Sequence, residues 1–590
     1  MELSSSIFAD VLSPLAIYID DNDSEREALE TIPENNSGPP SFRSRHTSRW
    51  KFGGVDTDGT RFFVVPTFAI GTPPMRVDVY IRPPEEHSLH VRRALKPEAA
   101  MYATDKKTAI NLPVTQHLLQ ALDHWSSSLP GLRDIYLSLP FGSQIAVTEL
   151  TLDPTETAAS IQFMPNYEVE QAMMSLDSLQ QMWPSDLCWP ATIDTTDLLC
   201  CSQIHEAITI VTIPCSPHPD REYVFKSLLR EQKYLYNELK MLLTLQPHDN
   251  LIPRPLYIVT HKCRFGGKSG VAGFILEYYP LGSLAARLPS SKPNLSDQFR
   301  WARQIASALI HVNNSGGFYP DLKPDNIVLR RTPKGEIDAV LIDLEQRGGW
   351  FSWSPPEIAY VEYIEILASR APDCATRDEF TTLLRGYIPD WRAPAQKERY
   401  RDVTGGFSAP WLALAAERAA GGALSTLLER AQTFMLGKLL WCIFEGRAVV
   451  GCGIDHELLR DPDPEFGGTG AFPEFRETPV QVRDLIRACT AGAPEWEGRK
   501  RGLVLRKGKL VPDAWDGEGD VPSAKETREV ARRWWTKEVT VAREFLGEVT
   551  DASKGGRIVA GSVLGHAMNR PLLSEVLLAL ERIESLDIAW

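Results

Sequence analysis

The chain has 590 residues, of which 43% are hydrophobic and 24% charged, and its formal net charge is −14. That length exceeds one ordinary core and points to about three domains. The acidic balance argues against nucleic-acid or anionic-membrane binding, both of which need a basic footprint.

Residues 1–44 read as a disordered acidic tail. The stretch "DDNDSEREALETIPENNSGPP" has too little apolar surface to offset the entropy of ordering. The start of the chain lacks a basic region that would mark a secretory signal. "SFRSRHTSRWK" follows and reads as a solvated basic loop.

A mixed N-terminal domain of unassigned role is expected over 45–185. There "RFFVVPTFAI" and "MRVDVYIRPP" flank a turn at Gly71 to Pro74. In the second run Val77, Val79 and Ile81 alternate with Arg76, Asp78, Tyr80 and Arg82, which predicts one face inward. "PVTQHLLQALDHWSSSL" predicts a helix, and its His117 and His124 read as packed or surface residues rather than ligands.

Strands return from residue 186, in "LLCCSQIHEAITIVTIPC" and "REYVFKSLL". "EQKYLYNELKMLLTL" places Leu235, Leu239 and Leu242 on one side of a helix. "NLIPRPLYIVT" and "VAGFILEYY" again read as strands. After residue 295 the pattern is mainly helical, as in "SDQFRWARQIASALIHV", "TFMLGKLLWCIFEG" and "LLSEVLLALERI". The most apolar helix candidate, 434–450, is interrupted by Lys438, Glu445 and Arg447 and cannot span a bilayer. Two stretches look inserted, near 365–428 and 495–560. The second holds a basic hairpin, "GRKRGLVLRKGKL". Nine cysteines without metal-ligand spacing read as reduced thiols of an intracellular protein. Strands followed by helices make an α+β class.

The chemistry-bearing stretch is "GGFYPDLKPDNIVLRR", 316–331. Asp321 leaves a helix that ends in Asn-Asn and Gly-Gly, so it sits on a loop mounted on a rigid element. Lys323 follows two residues later, and Asn326 precedes an apolar run. A second apolar run, "IDAVLIDLE", ends at Asp343, with a hairpin signal at Pro333 to Gly335 between the two. Such a hairpin would gather Asp321, Asn326 and Asp343 at one end. Phosphoryl transfer asks for this set: oxygen ligands for Mg²⁺, a cation for phosphate charge and a carboxylate to orient the acceptor.

"YPDLKPDN" resembles the catalytic loop of the eukaryotic protein kinases, and "IDLE" stands where their Asp-Phe-Gly would. "YVFK" is similar to their third-strand motif, "YNELKMLLTL" to their C-helix and "FILEYYPLGSL" to their hinge. "SPPE" and "MNRPLLSEVLLALERI" resemble the Ala-Pro-Glu motif and the last helix. The run "YPDLKPDN…DLEQRG…WSPPE" is similar to a divergent fungal branch. The resemblance covers most of 195–590. It implies a two-lobed kinase-like fold, with a small lobe over 186–279 and a large one over 280–590. It implies ATP and Mg²⁺ as cofactors, with Asp321 and Lys323 catalytic and Asn326 and Asp343 on the metal. Lys226 would bind phosphate with Glu238 as partner and Glu231 as the fallback. Leu276 would be the gatekeeper, with Glu277 and Tyr279 facing adenine. Glu357 would pair with Arg570, with Arg499 as the fallback.

Departures from the pattern are specific. "SQIHEA", Ser202 to Ala207, stands where phosphate-cradling glycines belong; Glu206 would repel phosphate there, and His205 reads as an exposed loop residue. Pro320 replaces the arginine that reads a phosphate on the activation segment, Tyr319 replaces histidine, and Leu344 replaces phenylalanine. Glu345 replaces glycine and predicts a motif locked in one state. Gln432 occupies the place of an aspartate, and Trp350 and Trp353 read as core packing. Three functions stay open. The first is a Ser/Thr protein kinase of cytoplasm or nucleus acting on a protein substrate. The second is a pseudokinase that scaffolds partners. The third is a small-molecule kinase of the choline and aminoglycoside phosphotransferase type, suggested by "LIDLE". Nothing in the sequence fixes the oligomeric state.

Overall fold

The computed structural model describes residues 11–19, 48–56, 59–69, 71–102, 106–205, 207–290, 293–344, 353–392, 408–450, 472–498, 502–506 and 509–587. They form a mixed α+β structure with two larger sheets, two hairpins and many helices.

The first sheet runs β1 (Trp50–Val55), β2 (Arg61–Pro66), β3 (Val77–Tyr80), β4 (Gln144–Val147) and β5 (Ile161–Met164), in that spatial order. All neighbours are antiparallel except β3 and β4. Helix α1 (Pro113–Ser128) buries Val114, Leu118, Ala121, Leu122 and Trp125 at helical spacing against it. His117 lies on the same face, bonded to Thr157 Oγ1 at 2.9 Å. Burial lowers its pKa to about 4, so the ring is neutral and packed, as the sequence suggested.

The inward face of β3 is as expected, with Val77 and Val79 buried, but Arg76 and Asp78 on the other face are buried too. Pairing makes this possible. Asp78 accepts from Arg76 Nε at 2.7 Å and lies 3.4 Å from Arg61, and the Arg76 guanidinium sits 3.5 Å from the Phe63 ring centroid.

The second sheet has the order β6 (Ala191–Asp194), β10 (Tyr257–Lys262), β11 (Ser269–Glu277), β9 (Tyr223–Lys226), β8 (Ile208–Thr212) and β7 (Leu199–His205). Only β6 and β10 are parallel. Helix α2 (Gln232–Thr244) follows β9 and buries Leu235, Leu239 and Leu242 in the largest core. Helix α3 (Leu295–Asn314) then leads into the hairpin β12 (Ile327–Arg331) and β13 (Ile337–Leu341).

Beyond the hairpin come α4 (Pro356–Arg370), α5 (Cys374–Tyr387), α6 (Ala409–Ala420), α7 (Leu427–Glu445) and α8 (Val480–Cys489). Hairpin β14 (Leu503–Arg506) and β15 (Lys509–Pro512) precedes α9 (Ala524–Ser553) and α10 (Leu573–Asp587). Helix α7 is buried along nearly its whole length. A Cβ on Gly437 would lie 2.6 Å from Cys489 Cβ, so the α7–α8 crossing needs glycine there. Among the described residues no helix is long and apolar enough to cross a membrane.

Part of the expected N-terminal tail is ordered after all. Val11, Leu12 and Ala16 are buried, Trp535 Nε1 donates to Val11 O at 3.0 Å and Arg532 donates to Ile19 O at 2.7 Å. These few apolar residues ahead of the acidic tract find a groove on α9 and α4; residues 20–44 lie outside the described residues.

Glu357, at the start of α4, meets Arg570 in a bidentate pair at 2.5 and 3.1 Å, with both side chains fully buried. Arg570 Nε also donates to Ala491 O at 2.9 Å. Arg499, the fallback partner, is outside the described residues. Removing one member leaves the other charge buried and unpaired. Glu357→Ala is therefore expected to destabilise the protein by about 3–5 kcal/mol in urea unfolding. A loss below about 1 kcal/mol would show that the pair contributes little to holding α4.

Candidate active site

Lys226 is the last residue of β9, and its ammonium lies between two carboxylates. Nζ is 2.5 Å from Glu238 Oε2 and 2.5 Å from Asp343 Oδ1. Glu238 lies mid-way along α2 and is buried, whereas Glu231 is the residue before that helix. The expected partner is therefore the one engaged. Strand β11 approaches β9 closely beside this lysine: a Cβ on Gly273 would fall 2.1 Å from Lys226 O.

Asp343 follows β13 with φ of +65°, a left-handed conformation that costs a non-glycine residue about 1–2 kcal/mol. The next residue, Leu344, is buried, and its N–H donates to Glu238 Oε1 at 3.2 Å. Both carboxylate oxygens of Glu238 are thus used, one on Lys226 and one on the backbone beside Asp343. Glu345 and Trp350 are outside the described residues, while Trp353 is buried in the core as expected.

The loop after α3 passes through Gly316, which has φ of +81°. Tyr319 is fully buried; its N–H donates to Gln432 Oε1 at 2.8 Å and its hydroxyl donates to Ile342 O. Burial, together with the charges of Asp343 and Asp321, holds the Tyr319 pKa far above the usual phenol range, so the hydroxyl remains a donor. Gln432 therefore anchors the loop as a neutral acceptor, and Tyr319 ties it to the residue preceding Asp343.

Asp321 Oδ2 accepts from Lys323 Nζ at 2.8 Å and from Asn326 Nδ2 at 3.0 Å. The same amide nitrogen donates to Asp321 O at 2.8 Å, which closes the loop on itself. Asp321 Oδ1 is buried and makes no hydrogen bond among the described residues. Burial raises the Asp321 pKa, with Lys323 and Asn326 offsetting part of the shift and the nearby Asp343 charge adding to it. Desolvation draws the Lys323 pKa down, but the carboxylates of Asp321, Asp343 and Asp325 outweigh it, so the pKa is raised and the ammonium stays charged.

Asp321, Lys323 and Asn326 form one bonded set and Lys226, Glu238 and Asp343 another; Ile342 N–H donates to Asn326 O at 3.0 Å between them, and the Asp343 charge acts on both Asp321 and Lys323. Glu277 and Tyr279 lie apart from both, at the exit of β11. Their side chains engage each other at 3.2 Å, and Glu277 pairs with Arg221 at 2.9 Å, whereas Leu276 is buried. The hairpin of β7 and β8 lacks glycine but is braced by a 2.9 Å bond from Thr209 to Gln203. Glu206 and the His205 side chain are outside the described residues.

One anchor left no signal in the sequence. The Tyr236 hydroxyl, on the same helix as Glu238, donates to Val271 O at 2.8 Å and accepts from Met174 N–H at 2.9 Å.

No family model matches the chain. Over 157 residues it is 27% identical to the MAPK/MAK/MRK overlapping kinase of Homo sapiens, which covers 26% of this chain and 33% of that protein. The Mus musculus protein of the same name is 27% identical over 155 residues, with the same shares. The chain is kinase-like. It spans about one third of the length of the curated relatives it matches.

On a kinase-like chain the metal question turns on donor chemistry. Among the described residues no group of three His, Cys, Asp or Glu gathers. Two carboxylates and one carboxamide are present instead. That set fits Mg²⁺, which takes one or two carboxylates and completes its shell from water and substrate phosphates.

The Tyr319 hydroxyl offers a direct test of the loop. Tyr319→Phe leaves the Ile342 carbonyl without its donor in a buried setting. The expected cost is about 1–3 kcal/mol in urea unfolding. An unchanged midpoint would show that the bond to Ile342 does not hold the loop.

Proposed function

We propose that the protein is an ATP- and Mg²⁺-dependent phosphotransferase that uses a two-lobed kinase-like arrangement, 186–279 and 280–590, to phosphorylate Ser or Thr of a protein substrate. The observation that carries this reading is the Asp321 carboxylate: one oxygen tied to Lys323 and Asn326, the other buried with no partner among the described residues. That second oxygen suits a hydroxyl proton from an acceptor alcohol. Lys323 would balance the charge that accumulates beside it, and Lys226 would meet phosphate oxygens. Asn326 and Asp343 would hold Mg²⁺, which supplies neutralisation of phosphate charge when bound.

A second reading, a nucleotide-binding or scaffolding pseudokinase, has its own support. Asp343 Oδ1 is occupied by the Lys226 ammonium at 2.5 Å, and the β7–β8 hairpin lacks the glycines that let backbone amides approach phosphate. A nucleotide would then bind in a site that turns over slowly or not at all.

Turnover separates the two. ADP release should depend on Mg²⁺, and Asp321→Asn should lower it about 10²–10⁴-fold while ATP still shifts the melting temperature. Undiminished turnover in Asp321→Asn would remove the base role; an absence of turnover in the unaltered protein would favour the scaffold.

Asp321 accepts a proton only when ionised, and its pKa is raised by burial. Activity should therefore fall with decreasing pH along a limb that lies above the ordinary carboxylate range. A limb at the ordinary Asp value would exclude a desolvated base.

A further inference from the structure

The loop that carries Asp321 leaves α3 through Gly316 and Gly317, two residues with no side chain to pack and the widest backbone freedom. Its next residues offer weak handles: Pro320 has no N–H, and the tie at Tyr319 N–H goes to a neutral amide, Gln432. A charge reaches this junction from helix α6, within the inserted stretch. Arg418 Nη1 donates to Gly317 O at 2.9 Å, to Asn313 Oδ1 at 3.1 Å and to Asn313 O at 3.5 Å; Nη2 donates to Gly316 O.

The Asn313 side chain extends the chain of bonds. Its Oδ1 also accepts from Gln432 Nε2 at 3.4 Å, and Gln432 Oε1 holds Tyr319 N–H. On the same helix Trp411 stacks on Phe318, with centroids 5.9 Å apart and planes 7° from parallel. Helix α6 therefore grips three consecutive residues, Gly316, Gly317 and Phe318, just ahead of Asp321.

We propose that Arg418 is a positioning residue for the Asp321 loop. A guanidinium suits the place. The carbonyls at the end of α3 carry the negative end of the helix dipole, and charge-assisted hydrogen bonds are about twice as strong as neutral ones. A planar fork also holds several carbonyls in fixed directions, whereas the three donors of a lysine rotate about a single point. The clamp needs no phosphate to form, so the loop is held in the resting protein. The proposal rests on the reading that Asp321 orients an acceptor, but the clamp can be measured without turnover.

The test uses the full chain and three proteins: unaltered, Arg418→Ala and Arg418→Lys. Amide hydrogen exchange over 313–323 reads the clamp, and steady-state ADP release with Mg²⁺ and ATP reads its consequence. In Arg418→Ala we expect exchange over 316–323 to quicken about tenfold or more, with the amides of α7 unchanged. We expect kcat to fall about 10–100-fold while KM for ATP holds. Arg418→Lys should recover part of both. Unchanged loop exchange in Arg418→Ala, or a uniform rise that includes α7, would overturn the proposal. So would an unaltered kcat. If the unaltered protein shows no turnover while loop exchange still responds to Arg418, the clamp stands and the phosphotransferase reading falls.

Discussion

One ammonium group, that of Lys226, holds together three elements: β9, the helix α2 that follows it, and Asp343, 117 positions beyond the lysine. It lies 2.5 Å from carboxylates on α2 and at the end of β13. Two carboxylates brought this close repel each other, and burial removes the water that would screen them. The cation makes their approach possible. A buried ion pair adds little net stability, because desolvation offsets the attraction; what it supplies here is position. The α2 helix is fixed relative to the sheet by one Glu238 oxygen and relative to the Asp343 backbone by the other. The left-handed turn at Asp343 is tolerated because residues on either side are held: Ile342 O by Tyr319 and Leu344 N–H by Glu238. Strain of about 1–2 kcal/mol is small against that many fixed contacts.

Around this centre neutral groups hold part of the loop. Tyr319 and Gln432 hold the backbone through a hydroxyl and an amide, and position 320 is a proline. Neutral groups cost less to bury than ions, and Tyr319 and Gln432 each have their partner, while the Arg418 guanidinium that also grips the loop is only partly buried. Asp321, Lys323 and Asp343 are ionisable, and the Asp343 side chain is the most exposed of the three at 24%. On the proposed reading the arrangement suits phosphoryl transfer, in which positioning and electrostatics outweigh covalent chemistry.

The bonded set of Asp321, Lys323 and Asn326 was legible in the sequence because its chemistry restricts both residue type and spacing. An aspartate, a lysine two positions on and an asparagine five positions on cannot be replaced freely if they must share one carboxylate, and the bonds at Asp321 express that spacing directly. The hairpin of β12 and β13 and the burial of Leu235, Leu239 and Leu242 followed from periodicity. Other features left no periodic mark. Arg418 contacts residues about a hundred positions away, and nothing near it in sequence shows that its targets are carbonyls. Arg76 and Asp78 looked solvent-facing because alternation cannot register a pair that neutralises itself when buried. The packing of Val11, Leu12 and Ala16 was hidden by the acidic run that follows them, which dominates any window average. Glu277 ends β11, and nothing in the sequence around it shows that its side chain meets that of Tyr279.

The segments outside the kinase-like pattern attach at the elements that carry the site. Tyr236 sits two residues before Glu238, and its hydroxyl joins Met174 to Val271 across α2; Val271 N–H returns a bond to Met174 O at 2.8 Å. A few residues earlier, the fully buried Glu170 accepts from the backbone N–H groups of Phe141 at 2.8 Å and Phe265 at 2.7 Å, fastening the same stretch to the loop that follows β10. Residues 11–19 and α9 pack on α4, the helix whose first turn holds Glu357. Arg418 and Trp411 fasten α6 to the loop of Asp321. A helix or loop moves only if all its partners release it together, and each of these attachments adds hydrogen bonds or buried surface that motion would have to give up. Any shift of Lys226, Glu238 and Asp343 against one another would have to give up some of these contacts.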